Sequence, residues 1–435
     1  MAASRLATLL PLLAALGVVS LSLGTAREAL AQGNAGVEVD AAGVLRMRFA
    51  PDPNGQLIRQ KQAQAKAALA PELARPSKLR KISLNRLERI LAEQMKNNQS
   101  ATEEMKYLAG LTRISHVFFF PETNDIVIAG PAEGFMADLT GRPIGVATGR
   151  SVLELQDLIV ALRAFPPSGA RTELIGCSID PTAEGLAKMQ QFLSGLRGIT
   201  PNDAGRIAAG LKENLGEQVV SINGVSPQTH FAQVLVEADY RMKLIGIGLE
   251  QPKANIPSYV SRANPRDVSR NAMERWYFTP NYECVRVSED GSAMELVGDG
   301  VQLVGKNEVV DAQGGRTGTE NVNRASQAFC TAFTSKYGEL ADREPVYAQL
   351  RNLIDMSIAA AFIQQQDLYA KADWSMEFFG SEQAYPVETY TTPKTVESTV
   401  NAIWKGRTLM TPIGGGVIME PRKALENLLQ DENNP

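Results

Sequence analysis

The stretch Thr229–Glu250, THFAQVLVEADYRMKLIGIGLE, decides how the middle of this chain folds. Phe231, Val234, Leu235, Ala238, Met242 and Ile245 recur at the spacing of one helical face. Val234, Val236, Ala238, Tyr240, Met242 and Leu244 also alternate as a strand would. No glycine interrupts the run before Gly246, and Thr229 stands where its hydroxyl can cap a helix. The spacing therefore predicts a core helix from Thr229 to about Gly246. Glu237, Asp239, Arg241 and Lys243 lie off the apolar stripe, as an ion network between layers or as the rim of a site.

Upstream, residues 100–250 alternate between helical and strand-like patterns. Ser100 with Glu103, and Ser151 with Glu154, have the spacing of capping boxes. The second precedes a face of Leu155, Leu158, Ile159 and Leu162. Leu174–Ile179 and Val219–Ile222 read as strands, and Asp180-Pro181 as the start of another helix. No glycine-rich phosphate loop follows these strands, so a nucleotide fold is not expected. Residues 32–99 form an extension with a hairpin, Val37–Val39 and Val44–Phe49, and a basic, solvent-exposed helical arm over 56–82. Ser83 then caps a helix with Leu84, Leu87, Leu91 and Met95 on one face.

Downstream, three prolines in 251–270 mark a linker over 251–274. From Arg275 the chain turns β-rich. Asp290-Gly291 and Asp299-Gly300 supply hairpin turns, which predicts an antiparallel meander. Helices are expected over 322–340 and 346–370, and short strands over 374–379 and 417–419. The fold class is α+β: an alternating helix/strand half, then a β-meander with packing helices over 275–435.

Composition bounds the function. Forty-four basic against 48 acidic residues give a net charge of −4, which offers no general attraction to nucleic acid. Two histidines exclude multi-His zinc sites, and no cofactor or metal is expected. Arg5, the apolar segment Leu6–Leu23 and Ala29-Leu30-Ala31 have the order of a signal peptide cleaved after residue 31. An uncleaved N-terminal anchor is the alternative. Removal of residues 1–31 leaves 404 residues with a charge of −5. No later segment is long and apolar enough to span a membrane. The chain is thus expected to be exported, periplasmic or extracellular.

Four runs, NDIVIAGPAEGF (124–135), LIGCSIDPTAEGLAKMQ (174–190), HFAQVLVEADYRMKLIGIGLE (230–250) and RWYFTPNYECVRVSEDGSAMELVGDGVQLVG (275–305), resemble a family of exported bacterial proteins. That family is known mainly from planctomycetes and classed only as a domain of unknown function. The resemblance covers roughly residues 100–370. It implies export and carries over no reaction, cofactor, partner or site residue.

Candidate chemistry is dispersed. Cys177 precedes a helix start, where a thiol can become nucleophilic with His230 as base, but its apolar flanks read as a buried structural cysteine. Cys284 and Cys330 complete three thiols whose spacing fits no metal or redox motif. Glu237 with Asp239, or Asp180 with Glu184, could act as an acid/base pair on a polysaccharide, although Glu237 and Asp239 diverge on a helix. Among Trp276, Tyr277, Phe278 and Tyr282, the phenols Tyr277 and Tyr282 are the ligand-binding candidates. Gly414-Gly415-Gly416 lacks the Lys-Ser/Thr of a P-loop and reads as a tight turn into a strand. No catalytic motif assembles. The expected function is a non-catalytic exported protein binding an envelope protein or a polysaccharide. The alternative is a hydrolase acting on such a polymer through carboxylates.

Overall fold

The computed structural model describes residues 36–48, 50–264, 272–319, 323–405, 408–410 and 412–429. The chain divides into two units, 1–32 and 33–435. The first unit, with the signal-peptide reading placed on it, lies outside the described residues, as does the 265–271 part of the expected linker.

Fourteen strands build two sheets. In chain order they are β1 (Val37–Val39), β2 (Val44–Met47), β3 (Ser77–Ser83), β4 (His116–Phe120), β5 (Asp125–Ala132), β6 (Ile175–Asp180) and β7 (Gln218–Asn223). They continue as β8 (Ala272–Pro280), β9 (Val285–Val287), β10 (Ala293–Leu296), β11 (Val301–Val310), β12 (Arg316–Gly318), β13 (Thr395–Val396) and β14 (Ile413–Met419). The larger sheet has the order β1-β2-β13-β7-β6-β14-β8-β11-β12, and the smaller one β9-β10-β4-β5-β3. Eight helices matter here: α1 (Gln56–Ala68), α2 (Leu84–Lys96), α3 (Leu155–Ala164), α4 (Ala183–Gly195), α5 (Ala204–Leu215), α6 (His230–Gly246), α7 (Arg324–Ser335) and α8 (Pro345–Gln365). The class is α+β.

The helix reading of the central stretch stands. α6 starts after Thr229, whose hydroxyl accepts from the Ala232 N–H, and fifteen of its residues are buried. It packs on β6 and β14 and against α8, and α8 also packs on α3. α8 is buried along nearly its whole length but carries Arg351 and Asp355, and no helix among the described residues is long and apolar enough to cross a membrane.

Strand parity covers the large sheet on both faces. Trp276 and Phe278 of β8, with Leu303 of β11, join the main core beneath α7 and α8. Met273 and Val310 point to the other face and join Leu186, Met189, Leu193, Ile207, Leu211 and Leu215 of α4 and α5.

The strands of the expected meander form, but they separate. β8 pairs directly with β11, while the β9–β10 hairpin between them leaves for the smaller sheet through β10–β4. β6 and β7, from the upstream half, share the large sheet with β8 and β11. Residues 77–83 join the smaller sheet as β3, whereas α1 does stand exposed, with no buried residue. Trp374–Phe379 is not a strand: Glu377–Gly380 is a helical turn, held by Glu88, which accepts the N–H groups of Phe378 and Phe379.

Gly414-Gly415-Gly416 is not a turn either but the middle of β14, between β8 and β6. Gly415 has φ +125°, and a Cβ there would overlap the Trp276 carbonyl; one at Gly416 would overlap the Cys177 carbonyl. Three glycines let this strand lie closer to both neighbours than a side chain permits.

Candidate functional site

α6 carries a row of ionisable groups through the interior, each anchored to a different neighbour. Glu237 accepts two bonds of 2.5 Å from the Arg142 guanidinium. Arg241 bonds Glu250 at 2.6 Å and Glu344 at 3.0 Å. Lys243 bonds Asp239 at 2.6 Å and the Ile179 carbonyl at 3.0 Å. Burial raises the Glu237 carboxyl against the pull of Arg142 and Arg241. Burial also lifts Asp239 to about 6, against the opposing effect of Lys243. These charges tie α6 to its surroundings: Arg142 stands just before a short ribbon strand, Pro143–Gly145, and Glu344 just before α8.

At the start of α6 lies the group with chemical potential. His230 Nδ1 is 2.8 Å from Asp157 Oδ2, and His230 Nε2 is 3.6 Å from Glu154 Oε1. Asp157 and Glu154 come from the first turn and the N-cap of α3, three residues apart, which places both carboxylates toward α6. The imidazole is 1% exposed. Burial alone would lower its pKa, but Asp157 and Glu154 outweigh that and raise it to about 9. Burial pushes Glu154 up as well; His230 opposes this and Asp157 adds to it.

Among the described residues, Glu154, Asp157 and His230 are also the one set of three that could offer a metal ligand atoms within 4.8 Å of one another. Asp157 faces Nδ1, however, so only Nε2 and Glu154 are turned toward a shared cation, and binding would require the imidazolium to lose its proton. At neutral pH the group holds a proton.

Of the three, Glu154 reaches a cavity. It lines a pocket of about 90 Å³ with Lys106, Tyr107, Gln156 and Glu388. Gln156 Nε2 donates to Glu154 at 2.8 Å and to the Tyr390 hydroxyl at 3.2 Å, and that hydroxyl donates to Glu388 at 2.9 Å. It is the smallest of the cavities described here.

The residues singled out in the sequence do not converge. Cys177 is buried in β6, 3% exposed, burial raises its thiol pKa well above the ordinary value, and His230 faces Asp157 and Glu154 instead. All three cysteines are free and buried. Asp180 is not a helix cap; Thr182 caps α4, and Asp180 pairs with Arg275 at 2.7 Å and Arg316 at 3.2 Å. Glu184 is exposed and pairs with Lys188. Glu237 and Asp239 point to different partners, as their helical spacing implies. Tyr277 is 6% exposed with Arg275 over its ring, and Tyr282 is half-buried with Lys423 over its ring. Neither phenol lines a cavity described here.

The largest of these cavities was not foreseen. It is a groove of about 900 Å³ between β11 and α7. Every residue from Gln302 to Glu308 lines it. A sheet face would present alternate residues only, so the wall is the edge of the strand. β8 covers one side of β11, and on the other side β12 pairs only with Glu308–Val310. The Leu303 N–H donates to Thr334 Oγ1 and the Asn307 carbonyl accepts from the Thr319 N–H, so the odd-numbered backbone groups point outward. The opposite wall is α7 with its N-cap Asn323: Ser326, Gln327, Cys330, Thr331, Thr334 and Ser335 line it. Seven strand residues span about 20 Å and α7 about 18 Å, so the walls match in length. A run of backbone edge has no signature in side-chain pattern, which is why the sequence is silent on it.

Residues 177–259, about a fifth of the chain, match the family model described as a protein of unknown function, DUF1598. The match begins in β6, contains α6 with His230 and its buried charges, and stops before β8, the groove and, at the other side, before Glu154 and Asp157. It is narrower than the 100–370 span of the resemblance. No curated protein and no solved structure matches the chain.

Proposed function

We propose that this is an exported, non-catalytic binding protein that takes an extended segment of a partner polypeptide along the edge of β11. The short stretch of strand edge about Gly305, between the Leu303 N–H taken by Thr334 and the Asn307 carbonyl taken by Thr319, carries this reading where it faces α7. A polypeptide main chain offers N–H and C=O groups at the spacing a sheet edge needs, and alternate side chains of the guest then meet α7. A polysaccharide lacks that periodic donor–acceptor pattern. Export rests on Arg5, Leu6–Leu23 and Ala29-Leu30-Ala31, with an N-terminal anchor as the alternative.

The hydrolase reading has one observation in its favour, the Glu154 carboxyl at the wall of a pocket. The pocket's volume and the pairing of Glu237, Asp239 and Asp180 with internal cations count against it.

The test is selection of displayed random decapeptides on the folded protein, with Thr331→Trp and Gln327→Trp as groove-filling variants. Both positions are exposed, so the core is left alone. Selected peptides should bind the parent and lose roughly tenfold or more in affinity to either variant, the size of one displaced contact set. Peptides that bind parent and variants equally would refute the groove. Product release from a peptidoglycan or polysaccharide panel would favour the hydrolase instead.

A further inference from the structure

A third cavity, of about 410 Å³, opens on a separate part of the molecule between the β5 region, residues 298–300 and α8. Three guanidinium groups line it: Arg113, Arg150 and Arg351. Two are matched. Arg113 bonds both Asp355 oxygens, at 2.7 and 3.4 Å, and donates to the Gly298 carbonyl at 2.6 Å. Arg150 bonds Asp342 at 2.7 and 2.9 Å from the half-exposed rim.

Arg351 differs. It projects from α8, is 7% exposed, and among the described residues has no ion pair and no hydrogen-bond partner for its Nε. Burial and the neighbouring Arg113 both disfavour its charge, and Asp355, Tyr337 and Asp342 together only partly offset them. A desolvated guanidinium that lines a cavity with an unpaired Nε and no carboxylate in direct contact is a high-energy arrangement unless an anion completes it. The Thr112 hydroxyl, which donates to the Pro131 carbonyl, also lies on the wall. Asp299 is exposed at the same cavity and would repel a highly charged anion.

We propose that this cavity is an oxyanion-binding site in which Arg351 is the principal ligand, for a carboxylate or phosphate group of a small molecule. A guanidinium presents a planar fork that matches both groups. Asp299 at the rim favours a singly charged carboxylate, or a ligand that also brings a donor for the aspartate to accept. The site is distinct from the β11–α7 groove, and its lining shares no residue with it.

The test is calorimetric titration of the whole protein with sodium phosphate in one arm and lactate in the other, against equal ionic strength of sodium chloride. Saturable binding in either arm is expected. Arg351→Gln should weaken it roughly tenfold to a hundredfold, the loss of one or two charge-assisted hydrogen bonds. Since Arg351→Gln can disturb the core, Asp299→Asn serves as a second variant. It removes the rim charge and should tighten phosphate more than lactate. No saturable binding in either arm, or binding unchanged in Arg351→Gln, would overturn the assignment. So would Asp299→Asn leaving both affinities untouched.

Discussion

Replacing Asp157 with Asn should change how the stability of this protein depends on pH. A folded value of about 9 for His230, against 6.5 ordinarily, corresponds to about 3 kcal/mol of linkage. Below pH 6.5 the imidazole is protonated in both folded and unfolded chains, and the full contribution is present. Between 6.5 and about 9 only the native state keeps the proton, so stability falls by about 1.4 kcal/mol per pH unit. Above that range the contribution is gone. Asp157→Asn removes the carboxylate 2.8 Å from Nδ1, and burial then dominates and lowers the His230 pKa. The fall should shift to lower pH or vanish, and stability at pH 6 should drop by about 3–5 kcal/mol as for a broken buried ion pair. Urea denaturation followed by tryptophan fluorescence from pH 6 to 9.5 measures this, with His230→Gln as the reference. The chain has two histidines, so the imidazole resonances can be followed directly by NMR. A parent whose stability, relative to His230→Gln, is flat between pH 6.5 and 9 would refute the reasoning, as would a His230 resonance titrating at or below 6.5.

Two further outcomes follow from buried groups. Arg142→Met should cost about 3 kcal/mol because it leaves the fully buried Glu237 with only the more distant Arg241, 3.7 Å away, as counter-ion, and adding Glu237→Met should recover part of that loss; thermal or urea unfolding of the single and double variants checks both. Iodoacetamide at neutral pH should label none of Cys177, Cys284 and Cys330 in the folded protein and all three in denaturant, as counted by mass spectrometry; rapid labelling of Cys177 would restore it as a nucleophile.

Sequence made the local elements readable where side-chain period and capping chemistry act within a few residues. Thr229 and the Phe231–Ile245 stripe specify α6, and Ser83 likewise caps α2 as its sequence position implies. Partners far apart in sequence were not readable. Asp180 has the sequence environment of an N-cap, yet Arg275 and Arg316, about a hundred residues on or more, claim its carboxylate. Glu154 has the spacing of a capping-box acid, yet it faces His230. The i, i+3 placement of Glu154 and Asp157 was the available hint that both carboxylates share one helix face, but nothing local says that a histidine meets them. The glycine triplet could not be told from a turn, because its cause lies in the Trp276 and Cys177 backbones on either side.

The position of β14 has a consequence for how the molecule is made. It lies between β6 and β8, pairing antiparallel with one and parallel with the other, although it is formed by residues 413–419. Without it the large sheet falls into a five-strand piece ending at β6 and a three-strand piece beginning at β8. Strands from the first 223 residues must therefore wait, with edges open, until residues 413–419 emerge during synthesis. Contacts so distant in sequence slow folding and leave intermediates open to wrong pairings. Truncation before residue 413 would leave two unjoined pieces of sheet rather than a shortened version of the same fold.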